Sequence, residues 1–180
     1  MKVIKLGGSL LASHTLSACL SAIANHPQTV VVVPGGGLFA EQVRIAQQQH
    51  GFDDLAAHRM AILAMQQMAL LCHSLNPAFE IVNTARNPTS RLAIWSPDIA
   101  ELDAAGIAAS WSVTSDSLAA WLARQIKASE LIMVKAAPIA QPTTLSDLQQ
   151  HGLVDEAFLA YANGLNVRVV DQAGFLAEFS

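Results

Sequence analysis

The chain has 180 residues, enough for a single domain with a complete hydrophobic core. Hydrophobic residues make up 52% of it, charged residues only 13%, and the net charge is -4 with histidine neutral. There is no Lys/Arg cluster, which argues against a nucleic-acid partner, and no uninterrupted apolar run approaches the ~20 residues that span a bilayer.

Lys2 to Leu6 alternates as a short strand and runs into Gly7-Gly8-Ser9. Leu10 to Ala24 reads as a helix with Leu11, Leu16, Leu20 and Ile23 as its apolar stripe. Thr29 to Val33 is a β-branched run of the kind buried on both faces of a parallel sheet, and it stops at Pro34-Gly35-Gly36-Gly37. A helix is expected from Leu38 to Gln49. Asp53 and Asp54 then stand where an N-cap belongs, ahead of a long apolar helix from Leu55 to Leu75.

Glu80 to Asn83 and Leu92 to Trp95 read as strands, and Pro97-Asp98 opens a short helix or turn. Thr114-Ser115-Asp116 precedes a helix over Ser117 to Lys127. Leu131 to Lys135 is a strand, and Ala136 to Thr144 is the most loop-like stretch. Helices over Leu145 to Gln150 and Glu156 to Ala162, then a strand over Asn166 to Val170, complete the series. This alternation predicts one α/β domain over residues 1–180, a three-layer αβα sandwich around a mostly parallel sheet.

Two features carry the chemistry. Lys5-Leu6-Gly7-Gly8-Ser9 and Pro34-Gly35-Gly36-Gly37 each follow a strand and precede a helix, the place where open α/β sheets bind ligands. Glycine lets a phosphate approach the backbone, and the helix N-terminus behind it favours negative charge. Neither loop matches G-x-G-x-x-G or G-x-x-x-x-G-K-[ST]. Asp116 and Ser115 suit either an N-cap or a carboxylate that receives lysine ammonium groups. Lys135, at a strand's carboxyl end, suits either a ligand-facing role or a surface exit. His58 and Arg59 offer a cation pair to an anionic acceptor, or a solvated helix start. His14, His26, His50, His73 and His151 lack metal-ligand spacing, and Cys19 and Cys72 read as buried thiols.

Lys-Leu-Gly-Gly-Ser, Pro-Gly-Gly-Gly and the Trp111 to Ala120 segment together resemble the amino-acid kinase superfamily. Ala57 to Met65 and Val154 to Phe158 bring the resemblance to its aspartokinase-like branch of methanogens and methylotrophs. The resemblance implies an amino-acid kinase (carbamate kinase-like) fold and an ATP-dependent small-molecule kinase with ATP and Mg2+. It gives catalytic roles to Lys5 and Asp116 and phosphate or nucleotide contacts to Gly7, Gly8, Ser9 and Lys135. Acceptor contacts fall to Gly35, Gly36, Gly37, His58, Arg59 and Ser115. The implied acceptor is a small anionic metabolite, a phosphate monoester converted to a diphosphate in methanofuran-type cofactor biosynthesis. A non-catalytic nucleotide- or oxyanion-binding member is the alternative. A second catalytic lysine in a glycine-flanked loop has no clear counterpart, and Ala136-Ala137-Pro138-Ile139 lacks the family's Asp-Gly. A cytoplasmic homodimer or higher homo-oligomer, with no nucleic-acid or membrane partner, completes the expectation.

Overall fold

A computed structural model of the chain describes residues 1–10, 15–136, 138–139 and 144–179. Its described strands are β1 (Lys2–Leu6), β2 (Val30–Pro34), β3 (Glu80–Val82), β4 (Leu92–Trp95), β5 (Glu130–Lys135) and β6 (Val167–Asp171). They form one sheet in the order β3-β4-β2-β1-β5-β6, and every pairing is parallel. The helices are α1 (Leu16–Asn25), α2 (Gly37–His50), α3 (Asp54–Leu75), α4 (Ile99–Ala104), α5 (Ser115–Gln125), α6 (Leu145–Gln150), α7 (Phe158–Ala162) and α8 (Gln172–Phe179).

Strand periodicity divides the core in two. Val3, Val31, Val33, Leu131 and Met133 face one layer, with Leu118, Leu122, Leu148 and Phe158 from α5 to α7. Ile4, Leu6, Val32, Ile132 and Val134 face the other, with Leu20 and Ile23 of α1 and Phe175 and Phe179 of α8. This is the three-layer sandwich expected. α3 feeds both cores, Ile62 and Met65 to the first and Met68, Ala69 and Cys72 to the second. By length and mean hydropathy α3 is apolar enough to cross a membrane, although His58, Arg59, Gln66 and Gln67 interrupt its apolar run as the sequence led one to expect. Its buried residues make it a central core helix here.

Local chemistry sets most boundaries. The Asp53 carboxylate accepts from the Ala56 amide at 2.7 Å and starts α3, and Asp98 caps α4 through the Glu101 amide at 2.8 Å. Other boundaries move. The expected Leu10 to Ala24 helix becomes a 3-10 turn at Gly8–Leu10 followed by α1, with residues 11–14 outside the described set. His14, and residues 137 and 140–143 of the expected loop, also lie outside it. α5 begins at Ser115, so Asp116 lies inside its first turn, and Thr114 makes no side-chain cap bond. α7 begins at Phe158, two residues after the expected start.

α8 is an addition to the expected elements. Gly174 interrupts its helical signal, but Phe175 and Phe179 are buried with ring centroids 4.4 Å apart, and this packing supplies what propensity lacks. Phe175→Ala removes a fully buried ring from the β6 side of the core and is expected to cost about 3–5 kcal/mol of stability. Urea denaturation checks this, and a loss below about 1 kcal/mol would show that α8 is only loosely docked.

Candidate functional site

The site is built at the carboxyl ends of β1, β2 and β5. Lys5 is opposite Met133 across the β1–β5 pairing, and Lys135 is two residues beyond Met133. Side chains alternate along a strand, so both lysines rise from the same sheet face, the face that α5 covers. Asp116, in the first turn of α5, receives both. Lys5 Nζ is 2.5 Å from its Oδ1, and Lys135 Nζ is 3.0 Å from its Oδ2 and 3.2 Å from its Oδ1. The Lys5 and Asp116 residues are only 5% and 6% exposed.

Two ammonium groups on one carboxylate leave a local charge of +1 in a nearly dry position. Burial works to raise the Asp116 carboxyl, but Lys5 and then Lys135 outweigh it and hold its pKa below the ordinary value. Burial, together with the charge of Lys5, lowers the Lys135 ammonium from 10.5 to about 8, against the pull of Asp116. An anion at this point would relieve the imbalance.

The two glycine loops touch each other. A Cβ on Gly8 would lie 2.5 Å from the Gly37 Cα and amide nitrogen, and one on Gly35 would lie 2.9 Å from the Gly8 nitrogen. Gly37 also has φ +56, a left-handed value that favours glycine. The Gly35 amide donates to the Leu6 carbonyl at 2.9 Å and the Gly7 amide to the Val134 carbonyl at 3.1 Å, tying both turns to the sheet. Gly36 is the N-cap of α2 and offers no side chain to the first amides of that helix.

A cleft of about 450 Å³ opens next to these loops. Gly8, Ser9, Gly35, Gly36, Gly37, His58 and Ser115 line it, so seven of the residues singled out from sequence meet at one cleft. Lys5, Gly7, Asp116 and Lys135 are not part of that lining. Arg59 requires a correction. Consecutive helical residues point about 100° apart. His58 is therefore buried in the cleft wall, while Arg59 turns outward to Asp103 at 2.6 Å and does not line the cleft. Burial lowers the His58 pKa, although Asp103 and a hydrogen bond with the Ser110 backbone oppose this, so the ring is neutral near pH 7.

The sequence shows no glycine-flanked loop with a second lysine, and the β1–β5 register brings Lys135 onto the same carboxylate as Lys5. Sequence reasoning also missed the rest of the cleft. Arg44 stacks on Trp111 at 4.0 Å, and the Trp111 indole donates to Gln47 at 2.6 Å. The spacing of Arg44 and Gln47 on one face of α2 was the available signal. Ile62, Met65, Val113 and Leu118 make the floor apolar. Asp155 was missed as well: its carboxylate accepts from the Thr114 and Ser117 amides and from both hydroxyls.

The amino acid kinase family model matches residues 1–138. Among characterised proteins, the chain is similar to [5-(aminomethyl)furan-3-yl]methyl phosphate kinase of Methanocaldococcus jannaschii, with 26% identity over 139 residues, 74% of this chain and 64% of that protein. The chain therefore spans less than two thirds of that relative's length. Among solved structures it is similar to the uridylate kinase of Archaeoglobus fulgidus, with TM-score 0.71 and 18% identity, covering 99% of this chain and 95% of that one. The UMP kinase of Ureaplasma parvum gives TM-score 0.69 and 16% identity, covering 96% and 89%. These likenesses show the fold.

Gly8→Ala is expected to lower the unfolding free energy by roughly 1–3 kcal/mol, because its Cβ meets backbone and not a movable side chain. Denaturant titration reads this directly, and wild-type stability would mean that the two loops are not in contact.

Proposed function

Because this chain belongs to the amino acid kinase family, we propose that it transfers the terminal phosphoryl group of ATP to a small anionic metabolite. The observation that carries this reading is the Lys5–Asp116–Lys135 group, two buried ammonium groups on one carboxylate beside two contacting glycine turns. Phosphoryl transfer needs positioning and charge neutralisation more than covalent help. The excess positive charge suits the oxygens of a moving phosphoryl group, and Asp116 fixes the two ammonium groups so that little reorganisation is needed. Gly8 and Ser9 offer amides to the nucleotide side, and Gly36, Gly37 and Ser115 to the acceptor side, while the amides of Gly7 and Gly35 hold their turns to the sheet.

The acceptor we propose is a phosphate monoester, made into a diphosphate in methanofuran-type cofactor biosynthesis. An acceptor oxygen bonds to the γ-phosphorus, the bond from that phosphorus to the β–γ bridging oxygen breaks, and ADP leaves. The attacking oxygen is already an anion, so no general base is required. The name of the Methanocaldococcus relative supports this acceptor, and so does the cleft. Its floor is apolar, His58 is neutral, and its charged side chains, Glu41 and Arg44, lie 3.8 Å apart as a pair. An amino-acid acceptor would call for separate receptors for its carboxylate and ammonium groups.

Magnesium fits this arrangement as a partner of the nucleotide. The described residues hold no cluster of three metal-ligating side chains, and Asp116 is committed to two lysines. Phosphate oxygens and water would hold the ion, as is usual for magnesium, and its charge would offset that of the phosphates. We also propose a cytoplasmic homo-oligomer: Met60, Leu63 and Leu70 form an exposed apolar row on α3. Buried, unpaired Cys19 and Cys72 suit a reducing compartment.

The test mixes the protein with Mg-ATP and the aminomethylfuran phosphate and follows ADP and diphosphate. Lys5→Ala is expected to lower kcat by at least about 100-fold with the fold retained. Product formed equally by the variant would sink the mechanism, and ATP binding without product on any phosphate or carboxylate would favour a binding protein. The pH profile adds a second check. Lys135 neutralises phosphate charge only as an ammonium, which is lost as pH rises through about 8. In the free enzyme kcat/KM should therefore fall above that pH. A profile flat from pH 8 to 10.5 would remove Lys135 from the chemistry.

A further inference from the structure

The first turn of α5 carries Asp116, and it is closed by the Leu118 amide donating to the Thr114 carbonyl at 3.0 Å but has no side-chain cap of its own. Thr114 occupies the N-cap position without making a side-chain cap bond. The missing acceptor comes from 41 residues away in sequence. One oxygen of Asp155, Oδ2, accepts from the Thr114 amide at 2.8 Å, the Thr114 hydroxyl at 2.8 Å and the Ser117 amide at 3.0 Å. The other, Oδ1, accepts from the Ser117 hydroxyl. These donors flank Ser115 and Asp116 on both sides, and Ser117 is fully buried. The neighbouring segment is sewn down too, with the Ser112 hydroxyl donating to Glu156 at 2.8 Å and the Ala157 amide donating to the Ser112 carbonyl at 3.0 Å.

We propose that Asp155 is a positioning residue for the Lys5–Asp116–Lys135 group, clamping the first turn of α5 and placing a second negative charge near Lys135. It lies beyond residues 1–138, the stretch that the family model matches, so the chain completes its site with a residue from outside that stretch. A carboxylate at a helix N-terminus is favoured by the helix dipole, and an acceptor with several donors is rigid. A small rotation of this turn would move Asp116 away from both lysines. The charged groups that bear on Lys135 are Asp116, Lys5 and Asp155, with Asp171 of β6 opposite it in register. Asp155 supports the ammonium form of Lys135 and Lys5 opposes it. As a contributor to turnover, this role rests on the phosphoryl-transfer reading; as an effect on the lysine pair, it does not.

The test uses the full chain with lysine carbon-13 labelled at Cε, so that NMR reads the Lys135 titration without any turnover. Asp155→Asn removes the charge and presents an amide group to four donors. Its Lys135 midpoint should fall below the wild-type value of about 8. Its kcat should fall by up to about 100-fold while the acceptor KM holds, because a displaced catalytic group harms the transition state more than binding. Glu156→Gln loosens the same segment without touching α5 and should leave the midpoint in place. Ser117→Ala removes one donor but keeps the Asp155 charge, so it should lower kcat and spare the midpoint. A folded Asp155→Asn with wild-type midpoint and kcat overturns the proposal, as does an equal shift in Glu156→Gln. If Asp155→Asn does not fold, an unchanged kcat in Ser117→Ala overturns it. If the wild-type protein turns over no acceptor, the phosphoryl-transfer reading fails, and the NMR comparison still decides the role of Asp155.

Discussion

The structure depends on a charge imbalance that the fold keeps almost dry. Lys5 and Lys135 both meet Asp116, so one carboxylate answers two cations. Burying charge is costly unless it is paired, and here the pairing is deliberately one short. That cost is met by what surrounds the group. The strand register aims both lysines at one point, and α5 brings the carboxylate to them with its N-terminal turn. An isolated lysine at a strand end would turn to solvent; the second one stays because the aspartate is held in place.

The glycine turns extend the same logic to the backbone. Their contact at Gly8 and Gly37 leaves no room for a side chain between them, so the two turns form one surface. The amides there are neutral, and with a net charge of -4 the chain offers no general attraction for anions. In the phosphoryl-transfer reading proposed above, recognition is short-range, supplied by amides, the α2 N-terminus and the excess ammonium charge. The adjoining cleft is different in kind. Its apolar lining and the Arg44–Trp111 stack favour shape over charge.

Different residues were legible in the sequence for different reasons. Val30 to Val33 could only be a strand buried on both faces, and the glycine runs at the ends of β1 and β2 could only be close backbone turns. Those signals are local and strong. His58 and Arg59 look equivalent on paper, yet the phase of α3 sends one into the cleft and the other to Asp103. Phase relative to a neighbour is a tertiary quantity. α8 was hidden because Gly174 weakens its local propensity while its stability comes from Phe175 and Phe179 in the second core.

The sequence by itself determined the alternation of strands and helices, the two glycine turns at strand ends, and the lysine and aspartate that belong beside them. The alternation and the turns follow from periodicity and backbone freedom within a few positions, whereas the pairing of aspartate with lysine was implied by the resemblance to the amino-acid kinases. Only the tertiary structure decided that Lys135 joins Lys5, that the glycine turns touch, and that Asp155 reaches back to secure Asp116. Those facts depend on strand register and on which layer covers which face. Such long-range choices are made by the packing of the two cores as a whole, which no short stretch of sequence contains.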